Sequence, residues 1–464
     1  MHLHSLALRL YSSSGPFWIF VQHGAGRIAV AVKFLVLARI LGPEGVGLIG
    51  IGLLAIAVAE ALSELGLLQS IVQRRSSLSQ DQLRAVWGFQ LLRATLLGIF
   101  FALLSWPASQ LFSIPEAFPI FALVAAILFL RGSINLSITL ALRDMQMRRV
   151  GLFNTYFVLI DAILGVMVAW LTQSVLAVFV AMALTEVMRW LASYYMFSAP
   201  PRPTLSNEAS EFAAFGKWIW MTNILNLLLN QSDKFVVAQI AGVNGIGAYQ
   251  IAQRFAQLGI ADVGTMISQY MFPFFSRQMR SDPKIAIKGM TDLLLLIFAF
   301  GLLSLMMLTR FAEPLFAQLL GEAWRNTGDV FTVLLYGMLG GLLTSVLVPY
   351  IKATGKAWIV TASALLQLAS LITLFIFLAS NGIEAIALSV SIAIWTAMLG
   401  MLAGSIFFIE GVGYALWRHR WDWLVLLICF AVSQHPNIAT WGLSVIVTLG
   451  VLLKRTTAVL RMIR

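Results

Sequence analysis

Apolar residues occur in long blocks separated by short polar stretches along almost the whole chain. The blocks predict spans near 17–40, 46–69, 83–106, 117–139, 151–171 and 174–197. After a Pro-rich stretch come 217–241, 245–275, 288–310, 327–350, 358–379 and 383–406, with two shorter blocks near 422–434 and 438–453. A membrane-crossing helix needs about 20 apolar residues, so 422–434 is barely long enough. The pattern predicts an all-α polytopic membrane protein with about 14 transmembrane helices.

The pattern also repeats. Residues 36–51 read VLARILGPEGVGLIGI and residues 236–251 read VVAQIAGVNGIGAYQI. At a constant offset of 200, Val36, Ala38, Ile40, Gly42, Gly45, Gly47 and Ile51 are matched. Each copy joins the end of one predicted span to the start of the next, where glycines suit a tight turn. The copies start in the same orientation, which predicts two parallel-repeat six-helix lobes around a central cavity, plus two C-terminal helices. The expected division is an N-lobe over 1–200, a cytoplasmic linker over 201–216, a C-lobe over 217–406, and the last helices with a basic tail over 407–464. The run Ser198-Ala-Pro-Pro-Arg-Pro-Thr204 reads as a stiff spacer.

Composition narrows the class. Of 464 residues 60% are hydrophobic and 11% charged, against about 25% charged in soluble domains. That excludes a soluble globular protein and, equally, a disordered chain. The single Cys429 allows no intrachain disulfide, and His2, His4, His23, His419 and His435 form no ligand-spaced cluster. No metal and no cofactor are expected. Met1 to Pro16 lack the apolar core and cleavage site of a signal peptide. The net charge of +11 resolves into +14 on the loops that share a side with the N-terminus and −3 on the opposite set. Retained basic loops set orientation, so the excess reads as topology rather than nucleic-acid binding, and both termini are expected in the cytoplasm.

Chemistry within predicted spans rests on fourteen ionisable residues. Arg27, Lys33, Arg93, Arg131, Arg189, Lys234 and Arg254 are basic, and Glu60, Glu64, Asp161, Glu186, Asp233, Asp262 and Asp292 are acidic. Each costs about 2.5–3.5 kcal/mol at a helix centre, so each needs a cavity or a partner. Glu186 and Arg189 are spaced to pair on one helix, and Lys33 and Asp292 read as residues that snorkel. In span 7, Asn223, Asn226, Asn230 and Asp233 recur at helical intervals on one face. In span 8, Gln250, Gln253, Arg254 and Gln257 do the same. Such stripes suit either a water-filled wall that bonds sugar hydroxyls or hydrogen bonding between helices. His23 and Arg27 lie one turn apart in span 1, where a guanidinium suits a phosphate or an ion pair with Glu60 or Glu64. Glu60, Glu64, Asp161 and Asp233 are the candidates for ion coupling. There is no G-x-x-x-x-G-K-[ST], no H-E-x-x-H, no G-x-S-x-G and no long polar loop, so no ATP-hydrolysing or other enzymatic site is expected.

The turn LGPEGVG at 41–47, ELGL at 64–67 followed by Arg74-Arg75, and ALRDMQMRR at 141–149 resemble the polysaccharide-transporter family. So does DKFVVAQIAGVNGIGAYQIAQRFAQL at 233–258. The family holds O-antigen and exopolysaccharide flippases within the multidrug/oligosaccharidyl-lipid/polysaccharide exporter superfamily. The resemblance implies a V-shaped pair of bundles, alternating access, and an undecaprenyl-pyrophosphate-linked oligosaccharide moved across the inner membrane. It also implies that Arg27 and Arg254 fall where such flippases place cavity cations, and that other polysaccharide-assembly proteins are partners. Multidrug extruders of the superfamily carry an acid in the first helix, which is absent here. Alternative readings are a multidrug or peptidoglycan-precursor exporter, and a membrane glycosyltransferase or polymerase, which the short loops disfavour.

The charge asymmetry makes a direct prediction. A reporter active only in the cytoplasm, fused after Arg464, should be active; a periplasmic readout would require an odd number of spans.

Overall fold

The computed structural model describes residues 16–64, 66, 68, 71, 78–111, 117–144, 146–206, 210–258, 262–435 and 437–463. Among them the regular structure is helical throughout. The chain divides into two compact units, one up to Ser232 and one from Asp233 onward.

The first unit holds α1 (Pro16–Ser63), α2 (Gln80–Leu111), α3 (Ala117–Gly132), α4 (Ser137–Arg143), α5 (Met147–Thr172), α6 (Val175–Met196) and the first part of α7 (Ser210–Ala256). Helix α2 opens with a capping box: Gln82 N–H donates to Ser79 Oγ, and Ser79 N–H donates to Gln82 Oε1, each at 3.1 Å. The second unit continues with α8 (Asp262–Ser281), α9 (Pro283–Arg310), α10 (Ala312–Leu320), α11 (Thr327–Ala353), α12 (Trp358–Leu378) and α13 (Ile383–Phe408). It ends with α14 (Val412–Arg418), α15 (Arg420–Ser433) and α16 (Ile438–Ile463). Asp282 caps α9 by accepting from Lys284 N–H at 2.9 Å, with Pro283 at the first helical position.

The repeat is visible in backbone geometry. Helix α1 is broken at Gly42 (φ 66°, ψ −176°) and α7 at Gly242 (φ 62°, ψ −160°). This region is essentially restricted to glycine, and the two breaks lie 200 positions apart, as the sequence match requires. Three residues further on, both glycines sit against the start of another helix. A Cβ on Gly45 would meet Leu41 and Val175, the first residue of α6. A Cβ on Gly245 would meet Ala241 and Ile383, the first residue of α13. Packing follows the same plan: α2 lies on α3, α3 on α6 and α5 on α6, while α9 lies on α11, α11 on α13 and α12 on α13.

Among the described residues, ten helices are long and apolar enough to span a membrane, or eleven if the α3–α4 pair, bent by 51°, is one span. The sequence pattern gives about fourteen, and the difference has identifiable sources. Helices α1 and α7 each run through a glycine break that the pattern divides into two spans. Helix α15 has 14 residues, about 21 Å at 1.5 Å per residue, short of a hydrocarbon core of about 30 Å. Helix α12 is among the most apolar of these helices yet is only 17% buried over its apolar stretch, whereas α9 and α11 are 67% buried. A helix that apolar and that uncovered needs lipid around it.

The Pro-rich stretch is not suspended in solvent. Asn135 Nδ2 donates to the carbonyls of Ser193 and Ser198, both at 3.0 Å. Thr204 N–H donates to the Arg84 carbonyl at 3.1 Å, and the Thr204 main chain lies directly against Gly88. Residues 198–204 are therefore fastened to the first unit.

Gly42 and Gly242 have open space where a Cβ would project, so alanine tests backbone conformation alone. Gly42→Ala and Gly242→Ala should each destabilise the protein by about 1–3 kcal/mol, read as a lower unfolding temperature in detergent. An unchanged midpoint would contradict the break geometry.

Candidate functional site

Several of the ionisable residues inside the helices of the first unit are joined into one network. Arg131 on α3 donates through Nε to Glu186 on α6 at 2.7 Å and through Nη1 to Glu60 on α1 at 3.0 Å. Arg189 lies 3.7 Å from Glu186 and donates to Asn154 on α5 at 3.1 Å. The expected Glu186–Arg189 pair is present, with Arg131 as the closer partner. Glu60 pairs with Arg131, a residue 71 positions away. Arg93 on α2 donates to the Ser63 carbonyl at the end of α1 at 3.1 Å. Three helices, α1, α3 and α6, are thus tied by one guanidinium-carboxylate cluster, with α5 and α2 attached through the Asn154 amide and the Ser63 carbonyl, and its charges are tolerated inside an apolar bundle because they compensate one another.

A second pair sits on α1 and α5. Lys33 Nζ lies 2.7 Å from Asp161 Oδ2, with the lysine buried. A Cβ on Gly165 would collide with the Lys33 stem at 2.8 Å, so the absence of a side chain there makes the lysine's room. The sequence reading has Lys33 and Asp292 snorkelling; instead each is buried in an ion pair. Asp292 on α9 bonds Arg455 on α16 at 2.6 Å, and Arg455 also reaches Asp422 and, at 2.9 Å, His419 Nδ1. Burial, and then the positive Arg455, lower the His419 pKa. Its unfolded state binds a proton more readily, so stability contributed here falls as pH drops through about 6.5.

The polar stripe of span 7 divides between two tasks. Asp233 is buried, and its carboxylate accepts from Lys234 N–H at 2.9 Å, Tyr249 OH at 2.8 Å and Gln253 Nε2 at 2.9 Å. All three donors are neutral groups of α7, brought together by the break at Gly242. Asn223 Nδ2 instead approaches the Glu64 carbonyl at 3.5 Å, beside the Trp220 Nε1 bond to the Leu62 carbonyl at 2.8 Å. Asn226 and Asn230 are exposed, and Asn230 Nδ2 donates to the Asn226 carbonyl at 2.8 Å. In span 8, Gln250 and Gln253 are buried, Arg254 is half-buried, and Gln257 is exposed just past α7. Arg27 and Glu64 are half-buried. The side chain of His23 lies outside the described residues. Tyr249 escapes a search for charges and amides, since its role depends on the break that folds it back toward Asp233.

Charges paired inside span-length helices, together with a glycine-broken helix in each copy of the repeat, define a polytopic helical membrane protein. The structure of the lipid II flippase MurJ in an inward closed conformation matches it with a TM-score of 0.67 at 14% identity, covering 96% of this chain and 99% of that one. An inward-facing multidrug MATE transporter matches at 0.60 and 13% identity, covering 85% and 98%. Both likenesses are of fold. A family model described as polysaccharide biosynthesis protein matches residues 36–329, and the chain belongs to that family. Its relatives include the succinoglycan biosynthesis transport protein ExoT of Rhizobium meliloti, 23% identical over 89% of this chain and 81% of that protein. They also include the lipopolysaccharide biosynthesis protein WzxC of Escherichia coli, 24% identical over 74% and 69%.

Arg131→Gln would leave Glu186, with its side chain only 9% exposed, with the longer 3.7 Å pair to Arg189 alone. Breaking a buried pair on one side costs about 3–5 kcal/mol; the half-exposed Glu60 contact adds little. Thermal unfolding should show the loss, and Arg131→Gln with Glu186→Gln should recover much of it. A double variant as unstable as the sum of the single changes would contradict the pairing.

Proposed function

We propose that the protein is a flippase that moves an undecaprenyl-pyrophosphate-linked oligosaccharide, an O-antigen or exopolysaccharide repeat unit, across the cytoplasmic membrane by alternating access. The observation that carries this reading is the combination of family and fold: a polysaccharide biosynthesis chain on the scaffold of a lipid II flippase. Relatives with polysaccharide transport names fit it. Physics supplies the need, since a pyrophosphate cannot be desolvated in hydrocarbon without compensation. Arg27 from α1 and Arg254 from α7 contact the pyrophosphate, and the Gln250, Gln253 and Asn223 amides serve the glycan or the helices that hold it. His23, Asn226, Asn230 and Gln257 complete the proposed path. The protein works without catalysing a covalent step, in the inner membrane, with both termini in the cytoplasm. The reading keeps the lobe boundaries expected from the sequence, with 201–216 as the connection.

The coupling candidates separate on their partners. Asp161 faces the Lys33 ammonium and Glu60 the Arg131 guanidinium, whereas the hydrogen bonds to Asp233 all come from neutral donors, with the positive Lys234 nearby but not bonded through its ammonium. Asp233 is therefore the carboxylate we assign to a coupling cation.

Arg254→Ala should lower glycan export at normal membrane abundance. Loss of a charge-assisted bond worth about 1.5–3 kcal/mol corresponds to about ten- to a hundredfold. Arg254→Lys should rescue only in part, because it keeps charge without the planar fork. Full export by the alanine variant removes Arg254 from the path. In the same assay, Asp233→Asn should make export insensitive to ionophores that dissipate the wild-type driving gradient; retained sensitivity would exclude Asp233 as the coupling site.

A further inference from the structure

Helix α13 ends at Phe408, and the chain turns through α14 before entering α15. At the α14–α15 junction three consecutive residues alternate in direction. Arg418 and Arg420 are exposed, while His419 between them is largely covered. The inward side is fixed by charge: Arg455 bonds Asp292, Asp422 and His419, and Lys454 lies 3.7 Å from Asp422. Asp422, the carboxylate nearest this turn in sequence, is thereby neutralised from α16.

The outward side carries aromatic rings. The Arg420 guanidinium lies 4.9 Å from the Trp417 ring and 5.6 Å from the Trp421 ring, and donates through Nη1 to the Trp417 carbonyl at 3.3 Å. Trp417 and Trp421 are 65% and 67% exposed, and Tyr414 is 76% exposed. Rings of this type, left open at the end of apolar helices, belong at the headgroup level of a bilayer. A guanidinium held over such rings keeps its remaining N–H groups for an anionic oxygen.

We propose that the turn between α14 and α15 is a binding site for the headgroup of an anionic phospholipid. Arg418 and Arg420 take the phosphate, and Trp417 and Trp421 lie against the glycerol and upper acyl region. The buried Arg455 cluster holds the turn in shape before lipid arrives. On the orientation given by the loop charges, the lipid is in the cytoplasmic leaflet, where basic groups are attracted to anionic headgroups. A soluble anion would have no use for the exposed indoles of Trp417 and Trp421.

Native mass spectrometry of the detergent-purified full chain tests this with dioleoylphosphatidylglycerol against dioleoylphosphatidylcholine. The wild type should prefer the anionic lipid by about tenfold. Arg418→Gln with Arg420→Gln should abolish the preference, Arg420→Lys should keep part of it, and Arg325→Gln, in another loop, should leave it unchanged. An unchanged preference in the double variant overturns the proposal. Equal displacement of the lipid by millimolar inorganic phosphate overturns it in favour of a soluble-anion site. A second measure needs no variant: tryptophan emission of the wild type should be quenched more by brominated phosphatidylglycerol than by brominated phosphatidylcholine in nanodiscs, and equal quenching also overturns it.

Discussion

A charge inside a lipid-embedded helix bundle must be compensated by the protein, because neither water nor hydrocarbon does it there. Arg131 meets this demand for two carboxylates at once, Glu60 and Glu186. Those residues come from helices separated by up to 126 positions in sequence, so the cluster fixes which helices are neighbours in the first unit. Apolar packing between lipid-exposed helices cannot do this with the same selectivity, since one leucine face resembles another and lipid competes for both. The Lys33–Asp161 pair acts similarly on α1 and α5, and the Arg455–Asp292 pair on α16 and α9.

The second unit uses another solution for Asp233. Tyr249, Gln253 and the Lys234 amide place three dipoles on one carboxylate, so neutral hydrogen-bond donors share the stabilisation of its charge with the nearby positive Lys234. The helix break at Gly242 is what brings residues 233 and 249 into reach. In this way a backbone feature shared by both units produces different electrostatics in each: α1 carries Lys33 toward Asp161, and α7 folds its own donors onto Asp233.

Architecture was legible where chemistry restricts the residue. The 200-residue offset could be read because the backbone at 42 and 242 requires glycine, and helix class could be read because lipid requires apolar length. Pairings were not legible, because an arginine 71 positions from its glutamate has no spacing signal; only Glu186 and Arg189, one helical turn apart, gave one. The amide stripe of span 7 was legible as a pattern but not in its surroundings. Periodicity gives a shared face but not burial along it: Asp233 is buried and bonded by Tyr249, whereas Asn230 is exposed. Summing loop charge hid the Arg418–Arg420 turn. Glu410 and Asp422 cancel it on paper, but Asp422 is turned inward to Arg455.

The attachment of residues 198–204 to α2 and Asn135 bears on how the chain tolerates altered length. A Pro-rich connector is ordinarily a permissive place for inserted epitopes or cleavage sites. Here the Thr204 amide completes a hydrogen bond to Arg84, and its carbonyl rests where any side chain on residue 88 would stand. Added residues before 204 would have to bulge outward or dislodge that seat. The permissive stretch begins after it, at the exposed Leu205 and Ser206.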